Sequence, residues 1–316
     1  MAPKTPDMPS VSVVIPVYRA GDSLPPLHQR LCNVLEGLRR EFEILFVEDC
    51  GGDHSWDLIQ ALAAADPRVR GFQMSRNYGQ HNAVLCGIRE ARGEVIVTMD
   101  DDLQHPPEEL PKLLAKLDEG WDVVYGPPID EQHGLLRDLA SRITKFVLQT
   151  SMGAETARQT SALRVFRTRL REAFERYRSP FVSIDVLLTW GTTRFAAVPV
   201  EHAPRQFGDS GYTTRKLITH AVNMITGFSV MPLRVASMAG IGFSLFGVLV
   251  FVYVIGRYLM IGESVPGFPF LASIIAIFSG VQLFALGIIG EYLARMHFRS
   301  MERTPYLVAE DTEESL

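Results

Sequence analysis

The sequence predicts an α/β domain built on a mostly parallel, doubly wound sheet, followed by interfacial helices and two membrane-spanning helices. Three observations predict it. Short β-rich runs at 11–17, 43–47, 69–74 and 94–99 alternate with helix-period stretches such as 23–38 and 55–65. After Arg234 the texture changes, with no charged residue before Arg257 and none between Glu263 and Glu291. The strand-like runs end on polar residues, Tyr18, Asp49 and the triplet Asp100-Asp101-Asp102, and sheets of this class bind ligands beyond the carboxyl ends of their strands.

Taken in order, residues 1–10 form a polar tail without an apolar h-region, so no signal peptide is expected. The first strand runs into Pro16-Val17-Tyr18-Arg19-Ala20-Gly21-Asp22, which lacks G-x-G-x-x-G, and no P-loop lysine pattern occurs. Phosphates are therefore not held by a glycine cradle. The fourth run, Val95-Ile96-Val97-Thr98-Met99, delivers the acidic triplet. Three adjacent carboxylates repel one another and are tolerable when water, a basic residue or a divalent cation neutralises them. Hard oxygen donors suit Mg²⁺ or Mn²⁺. A solvated loop whose last Asp caps the helix near Pro106-Pro107-Glu108-Glu109 is the alternative for an isolated triplet; the converging strand ends favour the cation, which would bridge the triplet to a diphosphate.

Beyond the sheet, 134–148 sets Arg137, Arg142 and Lys145 among apolar residues, a basic amphipathic pattern suited to a lipid headgroup or to a solvated helix face. Residues 212–231 carry Leu217, Ile218, Val222, Ile225 and Phe228 at roughly helical spacing, a stripe for the membrane surface or for a neighbouring subunit. The uncharged run 235–256 is as long as the roughly 20 residues that span a bilayer. A buried helical hairpin would satisfy the same pattern, but core helices rarely go so long without a charge. Arg215, Lys216 and Arg234 precede the first span, and Arg295, Arg299 and Arg303 follow the second, so both ends are expected in the cytoplasm at the inner membrane. The expected divisions are a tail at 1–10, a catalytic domain at 11–211, an interfacial helix at 212–233, spans at 234–258 and 268–293, and a cytoplasmic tail at 294–316. Cys32, Cys50 and Cys86 show no metal-type spacing and read as reduced, structural thiols. A net charge of −5 argues against a nucleic-acid partner.

Pro16-Val17-Tyr18, Glu48-Asp49, the stretch from Ser75 to His81, and Asp100-Asp101-Asp102-Leu103-Gln104 followed by Pro106-Pro107 together resemble a family-2 glycosyltransferase of GT-A fold. The match extends through Arg205 to Tyr212 and through Gly290-Glu291-Tyr292-Leu293. With two C-terminal spans, the pattern resembles the polyprenyl-phosphate glycosyltransferases. It is closest in texture to the undecaprenyl-phosphate 4-deoxy-4-formamido-L-arabinose transferases, with the bactoprenol glucosyltransferases next.

The resemblance implies inverting transfer of a sugar from a nucleotide donor, UDP-linked formamidoarabinose or glucose, to polyprenyl phosphate for envelope glycan modification. It implies Mg²⁺ or Mn²⁺ on Asp100 and Asp102, with Asp102 the direct ligand and Arg205 completing the catalytic set. Nucleotide contacts fall on Pro16, Tyr18, Glu48, Asp49, Asn77, Gln80, Asp100 and Asp101. Diphosphate or acceptor contacts fall on Arg137, Arg142, Arg164, Arg205 and Ser210. A homo-oligomer, a tetramer in the relatives, is implied as well. The chain departs from the pattern where Arg19-Ala20 replace Asn-Glu, where Cys50-Gly51 replaces Gly-Ser, at Ala162, where glucosyl-transferring relatives often place an Asp, and at Gly211, where the aminoarabinose type has Lys. A guanosine-linked mannose donor, a processive polysaccharide synthase and a non-catalytic nucleotide-binding scaffold are the alternatives. The synthase reading is weakened because none of Trp56, Trp121 and Trp190 follows an Arg.

Overall fold

The computed structural model describes residues 10–129, 159–179, 181–203, 231–261 and 267–313. The chain divides into two compact units, one of residues 1–219 together with 302–316 and one of residues 220–301.

The first unit is built on an eight-stranded sheet in the order β7-β5-β6-β4-β1-β2-β3-β8. Strands β1 (Val11–Val17), β2 (Phe42–Glu48), β3 (Val69–Met74) and β4 (Val95–Thr98) are mutually parallel where they pair. Beyond β4 lies β6 (Arg164–Arg167), antiparallel to both β4 and β5 (Val123–Tyr125), and β7 (Phe195–Ala197) runs parallel to β5 at the edge. Every residue of β1 and β2 is buried, because helices cover both faces and the strands read as continuous apolar runs. Ser12 and Glu43 interrupt those runs, and both are satisfied internally: Ser12 Oγ donates to Glu43 Oε1 at 2.6 Å.

One face is covered by α1 (Leu24–Gly37), α2 (Ser55–Ala65) and α4 (Leu110–Asp118), which join Val11, Val13, Ile15, Ile44, Phe46 and Val97 in one core. The spacing explains the fit: Leu24, Leu27, Leu31 and Leu35 lie on one stripe of α1, and Leu110, Leu113, Leu114 and Leu117 on one stripe of α4. Prolines stand in the first turn of both helices, where no intrahelical N–H bond is lost. On the other face α3 (Gln80–Glu90) lies against β1 so closely that a side chain at Gly87 would collide with Val14. The short α5 (Ile184–Thr189) follows on from β6.

The last strand, β8 (Val308–Asp311), pairs antiparallel with β3. Residues 294–316, expected as a tail, thus contain a strand that completes the sheet. Trp56 Nε1 donates to Glu310 Oε2 at 2.9 Å, Gly71 and Thr312 exchange two hydrogen bonds, and Glu313 receives Arg92 Nη1 and Nη2 at 2.8 and 2.7 Å.

The second unit holds α6 (Met231–Ile261) and α7 (Phe268–Ser300), both longer than the spans expected at 234–258 and 268–293. Stretches Met231–Met260 and Ile277–Phe298 are long and apolar enough to cross a membrane, and neither is buried within the protein. Leu245, Leu249, Phe251, Val252, Leu283 and Phe284 are exposed along them; apolar surface on this scale fits a lipid environment better than water.

Candidate functional site

The carboxyl ends of β1, β2 and β4, with the loop that follows β3, bring together the polar groups singled out in the sequence. The three carboxylates of the triplet take three different partners. Asp100 Oδ1 accepts from Gln80 Nε2 at 2.6 Å, Asp101 Oδ2 from the Tyr18 backbone N–H at 3.1 Å, and Asp102 Oδ1 from the Gln104 N–H at 3.1 Å. Asp101 is thus directed to the end of β1. Burial, with the Asp100 and Asp102 charges adding to it, pushes its carboxyl up to about 7.

Asp49 follows β2 and grips the loop after β3. Its two oxygens accept from the N–H groups of Tyr78 at 2.7 Å and Gly79 at 2.8 Å. Gly79 has a φ of +93°, a conformation open to glycine at little cost, and its turn presents both N–H groups to one carboxylate. Burial raises the Asp49 carboxyl above its ordinary value, against the lowering effect of those bonds. Glu48 is buried, with Oε1 accepting from the Gly51 N–H at 2.5 Å and Oε2 without a partner among the described residues. Pro16 is buried in β1, opposite Val47. Tyr18 is exposed, with the Arg19 guanidinium 5.2 Å from its ring centroid. Arg19 Nε also donates to Gly51 O at 2.9 Å, tying the ends of β1 and β2 together. Asn77 and Gln80 are exposed at the same edge.

Arg164 is placed differently. Its Nη1 donates to Asp185 Oδ1 at 2.5 Å, and the Tyr125 hydroxyl donates to the same oxygen at 3.1 Å. With Arg164 and Tyr125 both buried, this guanidinium is held between β6 and α5 by the Asp185 carboxylate. Arg137, Arg142, Lys145, Arg205, Ser210 and Gly211 lie outside the described residues.

Sequence reasoning passed over one junction. Gln104 O accepts from the Ala203 N–H at 2.9 Å, and His105, buried, sits 3.3 Å from Ser161 Oγ through Nε2 and edge-on to His202. The signal was available, since His105 stands between the triplet and Pro106-Pro107, but its partners are 56 and 97 residues away in the chain.

Two places offer metal-type ligands. Asp100 and Asp102 follow the end of β4 two residues apart, and carboxylate oxygens are hard donors of the kind that Mg²⁺ or Mn²⁺ takes. His28, Cys32 and Asp66 have ligand atoms within 4.8 Å of one another. There Arg68 already supplies the cation, donating Nε and Nη2 to Asp66 at 2.9 and 2.8 Å. Burial also pushes the Cys32 thiol up to about 11, so it is not a thiolate at neutral pH.

A sequence model described as "Glycosyl transferase family 2" matches residues 12–178. The chain belongs to this family. It is 35% identical over 301 residues to an undecaprenyl-phosphate 4-deoxy-4-formamido-L-arabinose transferase of Salmonella choleraesuis (strain SC-B67), covering 94% of this chain and 92% of that one. The same identity and coverage hold for the protein of that name from Salmonella typhimurium (strain LT2). Among solved structures it is similar to mannosyl-3-phosphoglycerate synthase from Rubrobacter xylanophilus, with a TM-score of 0.53 at 18% identity over 72% of this chain and 74% of that one. Glucosyl-3-phosphoglycerate synthase from Mycobacterium tuberculosis gives 0.50 at 18% identity, over 68% and 80%. These similarities establish the GT-A fold in this glycosyltransferase.

Proposed function

We propose that this glycosyltransferase moves one sugar from a nucleotide-linked donor to the phosphate of a polyprenyl lipid at a membrane surface. The observation that carries the reading is the 35% identity to undecaprenyl-phosphate transferases over 94% of the chain, which takes in the membrane hairpin as well as the sheet. A uridine-linked 4-deoxy-4-formamido-L-arabinose is the donor those relatives suggest.

The residues divide the work as follows. Asp49 and Glu48, with Pro16 and Tyr18 beside them, line the nucleobase and ribose. Asp100 and Asp102 hold the cation, which when bound neutralises the departing nucleotide diphosphate. Arg205 and Ser210 contact that diphosphate, and Arg137 and Arg142 take the acceptor headgroup. A lipid phosphate has a second pKa near ~6 and is already an anion at neutral pH. The protein then needs no strong base; its residues align two negatively charged reactants and keep water out. Direct attack of a phosphate oxygen on the anomeric carbon inverts its configuration.

Topology supports placing both ends of the hairpin on one side. The chain leaves the first unit before α6 and returns to it after α7 to form β8, and two spans bring a chain back to the side it left. The basic residues Arg234, Arg295, Arg299 and Arg303 support reading that side as the cytoplasm. The test is to mix the purified chain with undecaprenyl phosphate, Mg²⁺ or Mn²⁺ and a panel of nucleotide sugars, and to follow lipids by mass spectrometry. One monoglycosylated lipid phosphate is expected; sugar transfer only to water or to soluble acceptors would overturn the proposal.

A further inference from the structure

The loop that follows β4 is fastened at three points beyond the triplet. Buried Leu103, at φ +60°, turns the chain back after Asp102, and Asp102 Oδ1 accepts from the Gln104 N–H inside that turn. Gln104 O then accepts from the Ala203 N–H at 2.9 Å. His105 completes the junction, with Nε2 3.3 Å from Ser161 Oγ and its ring 5.1 Å from that of His202 at 83°. Thr98 Oγ1, at the end of β4, donates to Ala162 O at 2.9 Å, so the segment that meets His105 is pinned to the same strand that presents the triplet.

We propose that His105 is a positioning residue that sets the Asp102 carboxylate for a divalent cation by locking its loop to Ser161 and to the segment at His202 and Ala203. The inference rests on the reading of Asp102 as a cation ligand. Its physical content is that a ligand carboxylate binds well only if its rotamer is held before the ion arrives, and outer partners of that kind are worth roughly 10- to 100-fold in metal affinity. Burial lowers the His105 ring to about 4, which leaves it neutral at working pH. A neutral ring adds no positive charge beside Asp102 and serves as a spacer and a hydrogen-bond partner.

The ordinary alternative is a core histidine that only stabilises the fold, and Mn²⁺ binding separates the two. Wild-type protein, His105→Gln and His105→Phe would be titrated with Mn²⁺ in the presence of UDP, following free Mn²⁺ by electron paramagnetic resonance, with thermal unfolding recorded alongside. His105→Gln keeps a group able to reach Ser161; His105→Phe keeps the ring against His202 and loses the hydrogen bond. The expected result is Mn²⁺ binding weakened about tenfold in His105→Phe and substantially restored in His105→Gln. UDP binding without metal should stay within twofold of wild type in both. Mn²⁺ binding within twofold of wild type in folded His105→Phe overturns the positioning role and leaves the site reading standing. Failure of the wild type to bind Mn²⁺ with UDP overturns the reading of Asp102 itself, and the proposal with it.

Discussion

Two acidic clusters occupy opposite ends of the same parallel strands and are treated in opposite ways. At the amino ends, Glu43 receives Ser12 Oγ, the Arg92 N–H and Arg70 Nη1, while Glu313 receives Arg70 and Arg92. At the carboxyl ends, about 20 Å away along a seven-residue strand, Asp49 and the triplet are held by backbone N–H groups and the Gln80 amide. Guanidinium partners cancel charge and hold β8 and β3 together. Peptide and amide dipoles orient a carboxylate but leave its charge in place. The difference marks the amino-end cluster as structural; the carboxyl-end cluster is the one proposed for the chemistry.

The comparison can be broken most sharply at its charged centres. Asp102→Asn should lower sugar transfer at least ~100-fold, with little change in the unfolding midpoint, because the amide oxygen can still accept from the Gln104 N–H. Turnover assayed beside thermal unfolding checks both halves. Arg70→Met should do the converse: it leaves the buried Glu43 without its guanidinium and costs about 3–5 kcal/mol, while the protein that remains folded turns over at the wild-type rate. An Arg70→Met variant of unchanged stability would show that the amino-end cluster is not structural.

Smaller effects sharpen the picture. Trp56→Phe removes the bond to Glu310 and should cost about 1 kcal/mol, seen as earlier protease cleavage near β8. Asp66 is held well below the usual carboxylate range, first of all by Arg68. A depressed folded value contributes stability that is present above the unfolded value of about 4 and is lost as pH falls through the folded one. Because Arg68 is about a third exposed, Asp66→Asn should cost only about 1 kcal/mol at pH 7, and the gap from wild type should begin to narrow below about pH 4. A gap that stays undiminished at pH 2 would argue for lost packing instead.

Much of this arrangement was legible in the residues. Strands β1 to β4 stood out because parallel strands covered on both faces are continuous apolar runs, and the triplet marked the end of β4. β8 was hidden: it has four residues, two of them acidic, lies beyond a membrane hairpin, and finds its partner more than 200 residues earlier. The pairing of Arg164 with Asp185 was not legible, since Asp185 lies on a helix 21 residues later that no local pattern links to it. His105 was overlooked for the same reason, since a junction of loops leaves no period in the sequence.

The most direct test of the central claim is transfer by wild-type protein stripped of divalent ions with a chelator and then titrated with Mn²⁺ or Mg²⁺, reading glycosylated polyprenyl phosphate by mass spectrometry. The account predicts no product in chelator and full recovery on adding the ion, with Asp102→Asn unresponsive at the same concentrations. Undiminished product in chelator would contradict it.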